Sequence, residues 1–546
     1  MRDDRAKVSA VAYMSFAVAG VLASACGGES GLPSDRGVAA GTPDGGSSVY
    51  VPSVIIDGRF DDWDRDVAAR PGAATMMIRD DPRAVYLALP LQFPDNIQGL
   101  DGALILTLDA DDDSTTGVRA FDLPGVDFVV SFTRLLAPKD PRHGVAWWRP
   151  DPSDPDRVTL PSGAGDPYDL GLWFEPRHTA RRVEVRLARD RPGPGFWNGS
   201  GFSGKLLFVD RDGVRKGGTP VFRHSFVTDR DSAGRPGPVD LARAEGADFR
   251  LVSWNVSRSR IARSPDPARA ILAALEPDLV FLDEIPPGVG VDEILGLLPG
   301  GGAAGWSVHV GTSGSLQRGA VAARGTVAVA PDFSRVAYAD SVRALLEQSV
   351  GAEFMEVAAN VATSGVPATG AWVTLGGRRF LAVTLDLVCC GNSMTSVQDV
   401  IRRIEADAIR GAASDAMEAA AVHGTGTARA PLSGVLIGGD FNLVGSRQPL
   451  DILATGLGPD GSDLESIYAL QLDGATSATW TSDSGPFPPG QLDYVLYPPS
   501  LLTPLRAFVF ETLDVPVAQL DELGLTAELS DLASDHRPVV VDFAWR

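Results

Sequence analysis

The sequence predicts two folded parts of different class, an all-β sandwich followed by an α/β or α+β domain. Three observations carry this expectation. Short apolar or alternating runs recur through residues 51–230 with no helical periodicity between them. From Phe249 onward such runs alternate with segments whose apolar residues fall at helix spacing. The chain also holds 60 Gly and 40 Pro in 546 residues, which suits many turns and β-structure over long helical bundles.

Taken in order, residues 1–26 read as an export signal. Arg2, Arg5 and Lys7 precede an apolar stretch over residues 8–22, and "ASAC" then ends at Cys26. The stretch is short for a membrane-spanning helix. Its small residues before a cysteine resemble a bacterial lipobox, with Ala23 where that motif carries Leu. The resemblance implies that Cys26 becomes the lipidated first residue of a membrane-anchored lipoprotein. Cleavage after Ala-x-Ala, giving a secreted chain, is the alternative. Either route places the protein outside the cytoplasm, where disulfides persist. Residues 27–50 are rich in Gly, Ser, Pro and Asp, cannot bury a core, and are expected to form a flexible tether.

Residues 51–230 carry the runs "SVIIDG", "AVYLALPL", "ALILTLDA", "VDFVVSF", "RVEVRLA" and "KLLFVD", separated by turn residues, as in a two-sheet sandwich. "IDGRFDDW", "DDPRAVYLAL" and "LDADDDSTTG" together resemble family 9 carbohydrate-binding modules, which implies a glycan or surface partner for this part. Asp109, Asp111 and Asp113 alternate in the last of these segments, and hard oxygens at such spacing suit one Ca²⁺. A solvated acidic turn is the alternative. Residues 231–246 read as a linker, and residues 247–546 as the second domain.

In that domain "DPARAILAALEP" and "SVQDVIRRIEADAIRGAASDAMEAAAV" are expected helices. Around them lie six expected strands: "FRLVSWN", "DLVFLDE", "FLAVTLDL", "GVLIGGDFN", "LDYVLY" and "RPVVVDF". About 300 residues of this pattern hold enough core for a single unit. Cys389 and Cys390 are neighbours, either two small buried thiols or a vicinal disulfide, and their spacing suggests no zinc site. A net charge of −22 gives no bulk help in binding nucleic acid or an anionic membrane, and divalent cations are its more natural partners.

The polar residues of the second domain collect at strand ends: Asn255, Glu284, Asp386, Asp440 with Asn442, Asp493, and Asp535 with His536. Asp440 and Asn442 lie two positions apart, so a continuing strand would put both on one face. In order along the chain, "WN", a Glu after an apolar strand, "GDFN", "LDY" and "SDHRP" resemble the endonuclease/exonuclease/phosphatase superfamily. The resemblance spans residues 249–543. It implies a four-layer sandwich of two mixed β-sheets flanked by helices, with the site at one rim.

It also implies roles. Asn255, Glu284 and Asp535 would bind Mg²⁺ or Mn²⁺, Asp440 would activate water, and Asn442 would donate to the phosphate or hold Asp440. His536, oriented by Asp493, would contact the phosphate. Asp386 stands where many members have a second catalytic His, and Ser257 where repair nucleases often have an acid. Activity as an exported divalent-metal-dependent phosphodiesterase is therefore expected, from a monomer. Nucleic acid is favoured over a phospholipid or small phosphoester. A non-catalytic surface-binding protein with a degenerate hydrolase domain is the competing reading.

Overall fold

The computed structural model describes residues 51–63, 76–189, 197, 199–227, 239–338, 361, 363–423 and 432–546. The expected signal segment, Cys26, the tether and residues 231–238 of the linker lie outside the described residues. Among the described residues no helix is long and apolar enough to cross a membrane.

The first part is built on two antiparallel sheets. One has Ala84–Asp95 paired with Met77–Asp80 and Ala180–Ala188, with Trp173–Glu175 at its edge. The other centres on Gly102–Asp109, flanked by Phe128–Ser131 and Gly201–Asp210. Alternate side chains such as Leu87, Leu104, Phe128, Val185 and Phe202 meet in a shared core. "SVIIDG" is not one of these strands. Its Ile56 instead forms an isolated bridge with Thr476 of the second part.

The expected cation loop also changes. The carboxylates that converge are Asp109, Asp111 and Asp127. Asp113 is not among them, and its Oδ1 accepts bonds from the Thr115 backbone N (2.9 Å) and hydroxyl (2.6 Å). Burial, then Asp111 and Asp127, pushes the Asp109 carboxyl up to about 6.

In the second part, all six expected strands form. One sheet runs in the order Ser307–Val310, Arg318–Ala323, Leu279–Ile285, Phe249–Asn255, Val539–Trp545, Leu502–Val509, Leu470–Gln471. The other runs Thr326–Val329, Ala368–Leu375, Arg378–Asp386, Leu432–Asp440, Asp493–Tyr497, Glu465–Ser466. Each sheet has one parallel pair near its centre, Phe249–Asn255 with Leu279–Ile285 and Arg378–Asp386 with Leu432–Asp440. The two expected helices are Asp266–Leu275 and Val397–His423.

Strand periodicity divides the core into layers. Phe249, Leu251, Phe281, Phe380, Ala382, Leu436, Val495 and Val541 pack between the sheets. Val252, Trp254 and Leu282 face the helix Asp266–Leu275, whereas Val383, Val435 and Ile437 face Val397–His423. The order is thus helices, sheet, sheet, helices.

Residues 239–246, the second half of the expected linker, are packed against this domain. Leu241 is buried, and its carbonyl accepts a bond from Arg250 Nη1 at 2.9 Å. Arg250 also makes a two-pronged pair with Asp542, at 2.6 and 2.8 Å, and both residues are buried. Removing one partner strands a buried charge. Asp542→Ala is therefore expected to cost about 3–5 kcal/mol, read as a lower midpoint in urea unfolding.

Candidate active site

The layer between the sheets is apolar along most of its length and becomes polar at one end. After Phe249 and Leu251, the inward positions of that strand are Ser253 and Asn255. After Leu279 and Phe281 comes Asp283. After Phe380 and Ala382 come Thr384 and Asp386. After Leu436 come Gly438 and Asp440. Every strand changes character at the same level because the register aligns them. Asn255 pairs with Asp283, Asp386 with Asp440, and Asp440 with Asp493. Three carboxylates therefore stand side by side across three strands of one sheet. All three are buried, at 1–3% exposure.

Two glycines permit this packing. A Cβ on Gly438 would lie 2.6 Å from Ser253 Oγ in the facing sheet, and one on Gly439, whose φ is +134°, would lie 2.0 Å from the Leu385 carbonyl. "GGD" therefore marks where the sheets approach and the chain bends into the site.

The strand ends at Asp440, and Asn442 adopts φ +48°. The expectation that strand alternation puts Asp440 and Asn442 on one face is thus corrected. Asn442 is suited to this left-handed turn, which most side chains resist. Its backbone N–H donates to Asp440 Oδ1 (2.9 Å), and its Nδ2 donates to the Leu387 carbonyl (2.8 Å) with Asp386 Oδ1 at 3.4 Å. Glu284 (φ +56°) and Ser257 (φ +50°) are also left-handed. Glu284 sits in a register shift between Leu282 and Ile285. The bulge leaves Asp283 pointing between the sheets and turns Glu284 to the rim. Backbone strain at three neighbouring non-glycine positions is typical of a functional constellation.

Asn255 Nδ2 lies 3.4 Å from both Glu284 Oε1 and Asp440 Oδ2. Glu284 Oε2 accepts from the Arg258 backbone N at 3.1 Å. His536 is buried; its Nδ1 lies 2.8 Å from Asp493 Oδ2, and its Nε2 lies 3.7 Å from Asp440 Oδ2. Asp440, Asp493 and His536 thus form one tight cluster. The imidazole is pushed well above its ordinary range: burial opposes the charge, but Asp493 and Asp440 outweigh it. Asp440 is pushed up to about 8, first by burial, which the His536 charge partly offsets and Asp493 reinforces. Asp386 is raised by burial and then by Asp440 and Glu284.

Asp535, the residue before His536, is held against the Trp480–Thr481 segment. Its Oδ2 lies 3.4 Å from the Trp480 indole N–H, and its backbone carbonyl accepts from Thr481 N at 3.0 Å. Burial would raise its carboxyl, but His536 and Arg260 outweigh that and hold it low. Asp386 is engaged by Gln317 Nε2 at 2.7 Å. Cys389 and Cys390 lie just beyond Asp386 with sulfurs 2.7 Å apart, and Cys390 is exposed rather than buried.

Several participants escaped the sequence reading. Asp283 is fully buried, and neither carboxylate oxygen has a protein partner. Its carboxyl is raised by burial and then by Asp493 and Asp440. Thr479 donates to Asp493 Oδ2 (2.6 Å) while its own oxygen accepts the Asp493 backbone N–H (2.9 Å). Ser534 Oγ donates to the Asn255 carbonyl at 2.8 Å. The "LDE" triplet was the one available signal for Asp283, since two adjacent acids end a buried strand there.

This donor set fits a hard divalent cation. Asp283, Glu284, Asp386, Asp440 and Asp493 lie close enough to act on one another, and His536 supplies positive charge among them. Asp283 and Asp493 Oδ1 are orphaned there. Asn255 Oδ1 accepts from the Ser257 backbone N at 3.1 Å, which leaves its Nδ2 facing Glu284 and Asp440.

No curated protein matches the sequence. Among solved structures, D. rerio TDP2 complexed with single-strand DNA product is 16% identical, covering 54% of this chain and 98% of that one with a TM-score of 0.31. The 3′ phosphatase NExo from Neisseria bound to a product DNA hairpin is also 16% identical, covering 54% and 100%, TM-score 0.32. The human Nocturnin catalytic domain with bound sulfate is 13% identical, covering 56% and 97%, TM-score 0.32. The Endonuclease/Exonuclease/phosphatase family matches residues 252–536, just over half of the chain and the segment that carries Asn255, Glu284, Asp440 and His536. The chain belongs to the Endonuclease/Exonuclease/phosphatase family and is a hydrolase of phosphoric esters.

Proposed function

We propose that the protein is an exported, divalent-metal-dependent phosphodiesterase that acts on a nucleic-acid backbone. The observation that carries this reading is the in-register row Asp386–Asp440–Asp493, facing Asn255, Asp283 and Glu284 with His536 at its end. Three buried like charges side by side destabilise a sheet unless something positive joins them. Asn255 and Glu284, with Asp283 behind them, would hold Mg²⁺ or Mn²⁺. When bound, the ion would neutralise phosphate oxygens and the charge growing on the leaving oxygen.

The protein's own groups divide the remaining work. Asp440 Oδ2, between Asn255 and His536, takes the proton of the attacking water. The Asn442 N–H on Oδ1 fixes that carboxylate. His536, kept as imidazolium by Asp493, offers Nε2–H to a phosphate oxygen. Asp386 is turned to Gln317 and Asn442, so it braces Asn442 rather than meeting the phosphate.

A polyanion is supported by the helix Arg258–Arg263, which leaves the site directly after Asn255. A lipid substrate has less support. The loop around Phe487, the one candidate for an apolar wedge, is half-buried, and its carbonyl is held by Tyr168 of the first part. Export, with Cys26 as lipid anchor, rests on residues 1–26. The intact arrangement of five acidic groups and a paired imidazole argues against a purely binding role.

The test is hydrolysis of bis-p-nitrophenyl phosphate, single-stranded DNA, RNA and sphingomyelin with Mg²⁺ or Mn²⁺. Diester and nucleic-acid turnover is expected, with a bell-shaped pH profile. The rising limb reports ionisation of Asp440, and the falling limb reports loss of the His536 proton, above its ordinary range. Absence of turnover on every ester with every ion would leave the binding reading in its place.

A further inference from the structure

We infer that the β-sandwich is part of the catalytic unit, with Asn96 and Tyr168 as positioning residues for the two loops that carry Asp440–Asn442 and Asp493. The inference rests on the reading of Asp440 and His536 given above.

Asn96 is 2% exposed, and its Nδ2 donates to the Val444 carbonyl (2.6 Å) as well as to that of Arg177 (2.6 Å). The neighbouring Thr179 backbone N–H donates to the Gly445 carbonyl at 2.7 Å. Val444 N in turn donates to the Asn442 carbonyl at 2.7 Å, and Asn442 N–H holds Asp440. A short chain of hydrogen bonds thus runs from the sandwich to the base.

The second loop is held more extensively. The Tyr168 hydroxyl donates to the Phe487 carbonyl (2.7 Å) and accepts from Ser482 N (3.1 Å). Asp166 Oδ2 accepts from Gly485 N (3.1 Å), and Glu175 Oε1 from Gln491 N (2.7 Å). The Val145 backbone N–H donates to the Pro486 carbonyl. This loop lies between Thr479, which fixes Asp493, and Asp493 itself. The sandwich therefore supplies the backbone partners of a long irregular segment that has few of its own. Buried loop backbone without such partners would be costly. A module that merely tethers a ligand would need none of these contacts.

Asn96→Ala and Tyr168→Phe test the inference in the full chain. Each is expected to lower kcat about tenfold, with KM changed less than about twofold, because geometry rather than binding is lost. Tyr168→Phe should also move the falling limb of the pH profile downward, as Asp493 loosens from His536. Hydrogen exchange should quicken about tenfold at residues 442–446 in the first variant and 481–491 in the second. Phe208→Ser, on the same sandwich but distant from these loops, should change none of these. Wild-type kcat, pH limb and loop exchange in folded Asn96→Ala and Tyr168→Phe would overturn the inference.

If both variants fail to fold, native-state exchange on the unaltered protein decides. The two loops should lose protection in the same step as strands 84–95 and 180–188. Loss together with strand 432–440 instead, after those strands have already opened, would overturn it. The exchange readout does not depend on turnover, so an inactive but coupled protein would count against the hydrolase reading alone.

Discussion

Asp440→Asn is expected to lower kcat for bis-p-nitrophenyl phosphate by roughly 10²–10⁴-fold, about 3–5 kcal/mol of barrier, without lowering the melting temperature. The first half follows from position. Asp440 is the one carboxylate that touches both the Asn255 amide and the His536 edge of the pocket. Its neighbours in the row are engaged elsewhere: Asp493 Oδ2 by Thr479 and His536, and Asp386 by Gln317 and Asn442. The second half follows from charge. Asn keeps an oxygen for the Asn442 N–H and removes the middle member of a row of buried like charges. In the cation-free protein above about pH 8, where Asp440 is ionised, this should stabilise the fold by up to about 1 kcal/mol, the scale of a buried unfavourable cross-strand pair. A variant that lost both activity and stability would show that Asp440 is a structural carboxylate rather than the base.

The same row explains how much of the site was legible in the sequence. Polar residues closing apolar strands marked Asn255, Glu284, Asp386, Asp440 and Asp493, because alternation and burial together leave one end of a strand free for chemistry. The convergence of these ends depends on register between strands far apart along the chain, which periodicity does not encode. Asp283 was overlooked because a bulge, invisible in "LVFLDEI", lets two successive acids serve different sides. The conformation of Asn442 departs from strand alternation because alternation stops at Asp440, where the strand ends. Strands such as Ala368–Leu375 and Arg318–Ala323 are rich in Gly, Ala and Thr and carry little hydrophobic contrast. Asn96 and Thr479 lie in irregular segments, Gln317 and Tyr168 in single short helical turns and Glu175 at a strand end, and only their three-dimensional neighbours give them meaning.

Divalent-ion removal should have the second large effect, and its pH dependence separates a bound ion from a general salt effect. Chelation is expected to abolish hydrolysis and to lower the melting temperature. Saturation at about 100 times the dissociation constant is worth about 2.7 kcal/mol, or roughly 2.5–4.5 °C when about 300–500 residues unfold together. Asp283, Asp386 and Asp440 all have folded-state values raised above the ordinary carboxylate range, so without an ion the native state binds more protons than the unfolded chain. Stability of the ion-free protein should therefore fall as pH rises from about 4 toward 8. His536, raised above its ordinary value, acts in the same direction, because its contribution is present below about 6.5 and fades as pH climbs through the folded-state value. The ion competes with exactly these protons. Mg²⁺ should thus raise the melting temperature little at pH 5 and most near pH 8. Glu284→Gln should remove most of the rise at pH 8 while leaving the ion-free curve nearly unchanged, since Glu284 lies at the rim and a Gln oxygen still accepts the Arg258 N–H. An equal rise at both pH values, or one that survives in Glu284→Gln, would assign the effect to ions elsewhere on an acidic surface.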